Sequence, residues 1–255
     1  MSAQTLPDRM KADHAAGNPL PLASAEGADL DLPAAYAIQR AYVRARLETE
    51  SIAGFKAGAT APGPQKVFGL AEPISGVLFA SGLRHNGATV GLAEFRTLML
   101  EVELGFRLGR AITRPPQDVA ALREAVDAVL PMVELAEIPF GGAPFTGLDL
   151  IAANSASCAF MAGGEPDWRA TDLNALRVRF SRDAVLLHEA SASEVMGDQW
   201  QALRWLIERI LAQGYRLEPG HLLMTGSIGA AHPGKSGAYL ADFGEFGRVA
   251  FQITD

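Results

Sequence analysis

Between Met99 and Leu108 the chain alternates with a period of two, Val102, Leu104, Phe106 and Leu108 falling on one side and Glu101, Glu103, Gly105 and Arg107 on the other. That period belongs to a strand with one apolar face, not to a helix. Glu101 and Glu103 therefore project from the same face, about 7 Å apart along the chain. Two like charges flanked by apolar sequence raise each other's pKa unless a cation or a basic side chain sits between them. Carboxylate oxygens suit a hard divalent ion such as Mg2+ or Mn2+, and a third oxygen ligand from elsewhere would leave positions open for water and substrate. Glu134 is the candidate, because in PMVELAEI it alternates against Val133 and Leu135 as if on the polar face of a neighbouring strand. Glu137 breaks that alternation and reads as solvated. An isolated pair of this kind also fits the wet side of a half-exposed sheet, so the pattern alone leaves both readings open.

The remaining elements give an α+β chain. Ala35, Ile38, Tyr42 and Ala45 fall three or four apart between Leu32 and Leu47, with Gln39, Arg40 and Arg44 on the other side, and Asp31 and Pro33 mark a helix start. Residues 54–79 read as loops joining short strands, with Gly76–Phe79 as a strand. The spacing predicts a helix over 115–129 opening at Pro116 and Asp118, a strand over 132–138 and a Gly/Pro-rich loop to about Leu148. It then predicts a hairpin over 176–188, a helix over 196–211 ended by Gly214, and closing strands at 222–225 and 249–253. Without regular βα alternation the sheet should be curved and mixed or antiparallel rather than doubly wound. A helical N-terminal region over 1–53 and one compact unit over 54–255 are expected.

Charge and composition exclude several functions. Twenty-two basic against twenty-nine acidic residues give a formal charge of -7, which offers no attraction to nucleic acid or anionic lipid. No apolar run approaches a membrane span, and no export signal is read at the start, so a soluble cytoplasmic protein is expected. The one cysteine, Cys158, supports neither a disulfide nor a thiolate zinc site. The five histidines lack zincin spacing, and no nucleophile elbow is present. Gly229 to Ser236 reads GAAHPGKS and satisfies the phosphate-loop pattern. That pattern works only where a helix begins at the lysine, and Gly237 and Gly244 interrupt the stretch a helix would need, so a turn between strands is the expected structure.

Five segments in order resemble the fumarylacetoacetate hydrolase superfamily: GFKAGAT (54–60), GVLF (76–79), LEVELGFRLGR (100–110), PMVELAE (131–137) and TGS (225–227). AAYAIQ (34–39) and ASC (156–158) are similar to its branch of 2-keto-4-pentenoate hydratases and 4-oxalocrotonate decarboxylases. The resemblance implies a mixed β-roll with flanking helices around one active site, in which Glu101, Glu103 and Glu134 bind Mg2+ or Mn2+. Its substrate would be a small unsaturated 2-oxo acid, chelated so that the metal stabilises an enolate. Lys56 would hold the substrate carboxylate or move a proton, and Leu78, Asn154 and Ser157 would contact substrate. The branch usually carries an aspartate proton shuttle shortly before the Gly-x-Leu-Phe run, where this chain has Ile74 and Ser75, so Glu72 is the candidate stand-in. AANSASC likewise replaces the usual Ala-Asp-Asn-Ala-Ser-Cys. The implied activity is 2-keto-4-pentenoate hydration. The alternatives are a 4-oxalocrotonate-type decarboxylase, a C–C bond hydrolase, and a non-catalytic 2-oxo acid-binding subunit. A homo-oligomer, alone or in a complex with a homologous enzyme, is implied as well.

Overall fold

Capping residues set the N-terminal helices. Thr5 caps α1 (Leu6–Ala15), and the Asp31 carboxylate caps α2 (Leu32–Arg46) by accepting from the Ala34 N–H at 2.8 Å. The computed structural model describes residues 4–26 and 30–255. α2 matches its expected span, but Gln39 is not on a wet face. It is buried, and its amide donates to the Ser75 and Ile151 carbonyls at 2.9 Å each.

Residues 54–79, read from the sequence as loops joining short strands with Gly76–Phe79 as the clearest, fall in β1 (Ile52–Gly58), α3 (Pro62–Phe68) and β2 (Ile74–Phe79), so a helix stands where only loop and strand were expected. The glycine in β1 marks a close approach, not a loop: a Cβ on Gly54 would stand 1.8 Å from the Leu222 carbonyl oxygen. Next come β3 (Leu83–Arg84), β4 (Thr89–Gly91) and β5 (Leu98–Leu108). The helix expected over 115–129 is cut short. α4 (Val119–Ala125) has its Asp118 cap, but the chain turns extended at Val126 and continues as β6 (Val126–Glu137). The apolar residues Val126 and Val129 that resembled a helix face instead open β6, which pairs with β5 along its whole length, Leu98 opposite Glu137 and Leu108 opposite Val126. Eleven rungs of ladder outweigh the weak helical preference of Val126 and Val129.

The chain continues through α5 (Gly147–Ala152), β7 (Ala159–Ala162), β8 (Arg177–Arg182), β9 (Val185–Ser191) and α6 (Gln199–Ala212). It closes with β10 (Leu222–Met224), β11 (His232–Pro233), β12 (Gly237–Asp242) and β13 (Arg248–Thr254). The residues after Lys235 thus enter a strand and not a helix, so the segment lacks the geometry of a phosphate loop. One mixed sheet runs β2-β1-β10-β5-β6-β7-β3, with β11 also on β5; a second runs β4-β13-β12-β8-β9.

β5 separates two interiors. Val102, Leu104, Phe106 and Leu108 are fully buried in one cluster with Leu203, Leu206 and Ile207 of α6, and Phe106 meets Trp200 edge-on at 5.1 Å. Each such side chain stabilises the fold by roughly 1.5–3 kcal/mol. On the opposite face Gly105 makes room for Met132, whose sulfur would lie 1.9 Å from a Cβ there. Met132 packs with Leu78, Leu130, Phe160 and Met224 into an apolar plug on that face. A third cluster joins α1 and α2 (Met10, Tyr36, Tyr42) to Ile74, Phe140 and Leu150.

Candidate metal centre and its cavity

The β5–β6 register sets Glu101 directly opposite Glu134, with Glu103 one pleat further along the same face. One oxygen from each of these three carboxylates lies within 4.8 Å of the others. β1 adds a cation: Lys56 shares the row of Met224 and Gly105, and its Nζ reaches to 3.3 Å from Glu134 Oε2. Glu103, Glu134 and Lys56 are all buried. The TGS turn completes the group, since the Gly226 N–H donates to Glu103 Oε2 at 2.7 Å. Gly226 has φ +112°, and a Cβ on it would lie 2.4 Å from Thr60 Oγ1, so only glycine brings that amide to the carboxylate.

These groups are far from balanced by their surroundings. Burial pushes the Glu134 carboxyl up to about 8, with Glu101 adding to the rise and Lys56 opposing it. Burial raises Glu103 as well, helped by Glu134 and Glu101. Burial alone would lower the Lys56 ammonium, but the combined attraction of Glu134, Glu101 and Glu103 outweighs it and holds the proton on. Glu103 Oε1 and Glu134 Oε1 are buried without a hydrogen-bond donor, and Glu134 Oε2 faces only the Lys56 ammonium at 3.3 Å. Buried carboxylate oxygens without donors are costly and rare, and here two of them lie in one cluster. With all three glutamates ionised, Lys56 leaves two negative charges uncompensated. An all-oxygen donor set with that residual charge fits a hard divalent cation.

A cavity of about 740 Å³ adjoins this cluster, with Lys56 and Glu101 in its lining. Its walls come from short and irregular pieces. Ala59, Ser155 and Ala156 line it in the left-handed region, and Asn154, Ser155 and Ala156 form three such residues in succession. L-residues adopt that conformation at a cost, and the surroundings must hold it. Asn154 does so by accepting from the Val77 N–H and donating to the Val77 carbonyl, both at 2.8 Å. Ser157 donates to that carbonyl at 2.9 Å, and Ser155 to the Ser75 carbonyl at 2.8 Å.

Of the residues expected from the sequence, Lys56, Glu101, Glu103 and Glu134 come together. Asn154 and Ser157 turn their polar atoms to Val77 and do not line the cavity, and Leu78 lies in the apolar plug. Glu72, expected as an acid/base group, accepts from Arg209 of α6 at 2.5 Å and is outside the lining. Ile74 lines the cavity, whereas Ser75 points away and accepts from Gln213 at 2.9 Å. Glu137 is not solvated: it is buried against Arg96, which donates to it from its side chain at 2.8 Å and its backbone at 2.7 Å. Thr60, Ser155 and Ser227 are also in the lining. Thr60 and Ser227 end two of the matched segments, so position in those motifs was the available signal. Ser155 had none, because its placement depends on the left-handed run.

Among the described residues no helix is long and apolar enough to cross a membrane. The chain is 30% identical over 240 residues to a 2-keto-4-pentenoate hydratase of Paraburkholderia phymatum, covering 93% of this chain and 90% of that one. It is 26% identical over 235 residues to a 2-oxo-hept-4-ene-1,7-dioate hydratase of Escherichia coli, covering 89% and 88%. In three dimensions it superposes on a 4-oxalocrotonate decarboxylase of Pseudomonas putida G7, solved with magnesium and adipate, with a TM-score of 0.89 at 20% identity over 98% of this chain and 96% of that one. The strand pairing that gathers the carboxylates falls within residues 65–253, which match the fumarylacetoacetate (FAA) hydrolase C-terminal family, and the chain belongs to that family.

Proposed function

We propose that the protein is a divalent-metal-dependent lyase that adds water to a small unsaturated 2-oxo acid of the 2-keto-4-pentenoate type. The observation that carries this reading is the convergence of three carboxylates, with donorless buried oxygens, beside a buried lysine at the floor of a cavity. The hydratase relatives support it. Glu101, Glu103 and Glu134 would hold Mg2+ or Mn2+. Such an ion supplies an electron sink for a 2-oxo group and stabilises negative charge on the adjacent carbon.

The chain's own groups do the rest. Lys56 keeps its proton under the pull of the glutamates, so its ammonium offers a fixed positive charge to a substrate carboxylate. Ser227 donates to the Gly229 carbonyl, which leaves its lone pairs to accept from a substrate hydroxyl or a water, whereas the Ser155 hydroxyl is held between the Ser75 carbonyl and the Gln39 amide. Burial of the floor strengthens each of these interactions. Outside the cluster, Glu194 is the one acidic side chain in the lining among the described residues, and hydration needs a group that can accept a proton from water.

Decarboxylation is the second reading, favoured by Ile74: it lines the cavity, apolar, in the stretch where the resemblance implies an aspartate for hydration. It needs the electron sink and one late protonation but no activated water. Incubation of the Mg2+-loaded protein with 2-hydroxypenta-2,4-dienoate in 18O-labelled water separates the two. A 4-hydroxy-2-oxo acid labelled at the new hydroxyl is expected. CO2 release from a matching dioate, without incorporation of label into product, would replace hydration with decarboxylation.

A further inference from the structure

The charged pole occupies a small part of the cavity. Beyond Lys56 and Glu101 the lining passes to Ile74, Met99, Ile138, Phe145 and Leu150. Lys56 is the one basic side chain in that lining among the described residues, and it is already held by Glu134 at 3.3 Å. The remaining charged group, Glu194, is negative and exposed, with its Oε1 accepting from the Ser191 N–H at 3.1 Å. A second carboxylate on a ligand would therefore lie beside apolar walls with no cation in the lining to meet it, and would face a like charge in Glu194.

α3 points the same way independently. None of its residues is buried, and Val67 is 78% exposed. Yet Pro64, Val67 and Phe68 all line the cavity, and Phe68 stacks on Phe145 at 5.9 Å between ring centres. Pro64 and Val67, both exposed, gain cover from whatever fills the slot. The volume of about 740 Å³ lies in the range that holds drug-sized ligands, so a five-carbon acid bound at the pole leaves most of it unfilled.

We infer that the cavity selects 2-oxo acids with a single carboxylate and an extended, uncharged apolar tail, alkyl or aryl, over both the bare five-carbon acid and a dioate of equal length. The tail lies against Ile74, Ile138, Phe145 and the α3 face. This inference rests on the proposed function, which puts the carboxylate and 2-oxo group at the metal pole, and it adds what the other end of the substrate must be.

Calorimetric titration of the Mg2+-loaded full chain with three unreactive ligands, 2-oxopentanoate, 2-oxooctanoate and 2-oxooctanedioate, tests it without turnover. Each buried methylene should tighten binding about fourfold, so 2-oxooctanoate should bind more than about tenfold tighter than 2-oxopentanoate. It should also bind more than about tenfold tighter than the dioate. Phe145→Ala should weaken 2-oxooctanoate while sparing 2-oxopentanoate. Val67→Asp, on an exposed helix position, should do the same where the Phe145 variant folds poorly, and Ile138→Arg should bring the dioate ahead. Equal affinity for the five- and eight-carbon acids, or a dioate that binds wild type as tightly as 2-oxooctanoate, overturns the inference and leaves the metal-pole reading standing. Failure of all three acids to bind, or binding unchanged in Glu101→Gln, overturns that reading and the inference with it.

Discussion

The two faces of β5 are buried alike and do opposite things. Val102, Leu104, Phe106 and Leu108 on one side and Glu103 on the other are all removed from solvent. The apolar face meets α6 and stabilises the fold. The acidic face meets Glu134 and Lys56 and leaves carboxylate oxygens without donors, which costs stability until a cation arrives. One strand thus carries both a supporting face and the face that the proposed function uses as its binding site.

Substitutions should separate the two faces. Phe106→Ala removes a fully buried ring that packs on Trp200. It should cost about 3–5 kcal/mol of stability by denaturant titration while the folded fraction keeps its metal affinity; a parallel loss of metal binding would break the comparison. Glu101→Gln should do the reverse. Turnover should fall by about 10²- to 10³-fold, as when one strong electrostatic contact to a transition state is removed, with little change in circular dichroism or melting temperature. A variant that keeps wild-type activity would remove Glu101 from the site.

The pH dependence of the metal-free chain sharpens the contrast. A carboxyl whose folded pKa lies above its unfolded value binds protons more tightly when folded, so its contribution to stability is lost as pH rises through the folded pKa. Glu134, pushed up to about 8, and Glu103, also raised, should make the metal-free protein melt at progressively lower temperature between about pH 5 and pH 8. Saturating Mg2+ should flatten that slope, and its apparent affinity should rise across the same window because protons must leave before the ion binds. A melting temperature that rises through this range would contradict the burial of these groups. The smallest effect is expected at Glu72, whose partly exposed pair with Arg209 lies outside the cavity. Glu72→Gln should change stability by less than about 1 kcal/mol and leave turnover close to wild type.

These two faces were also the part of the molecule most open to reading in the sequence. A period of two assigns every residue of β5 to a side, and the same logic extends to Glu134, so the carboxylates could be gathered before any coordinates. Lys56 needed the family resemblance, because its reach to Glu134 depends on the curl of the sheet that brings β1 beside β10 and β5. β1 itself was hidden because Gly54 and Gly58 look like loop residues until the Leu222 backbone is seen 1.8 Å from where a Cβ would stand. Glu137 was misplaced because its partner, Arg96, is distant in sequence and pairs with it only through the β5–β6 register. The cavity walls were the least accessible. They depend on left-handed backbone at Ala59 and Asn154–Ala156, and on α3, whose seven residues include two prolines and no buried side chain.

The central claim is that Glu101, Glu103 and Glu134 form one divalent-cation site. Titrating the metal-free chain with Mn2+ and following the free ion by electron paramagnetic resonance tests it directly. One tightly bound Mn2+ per chain, displaced by Mg2+ and lost in Glu134→Gln, is the predicted result. No saturable binding, or binding that Glu134→Gln leaves intact, would contradict it.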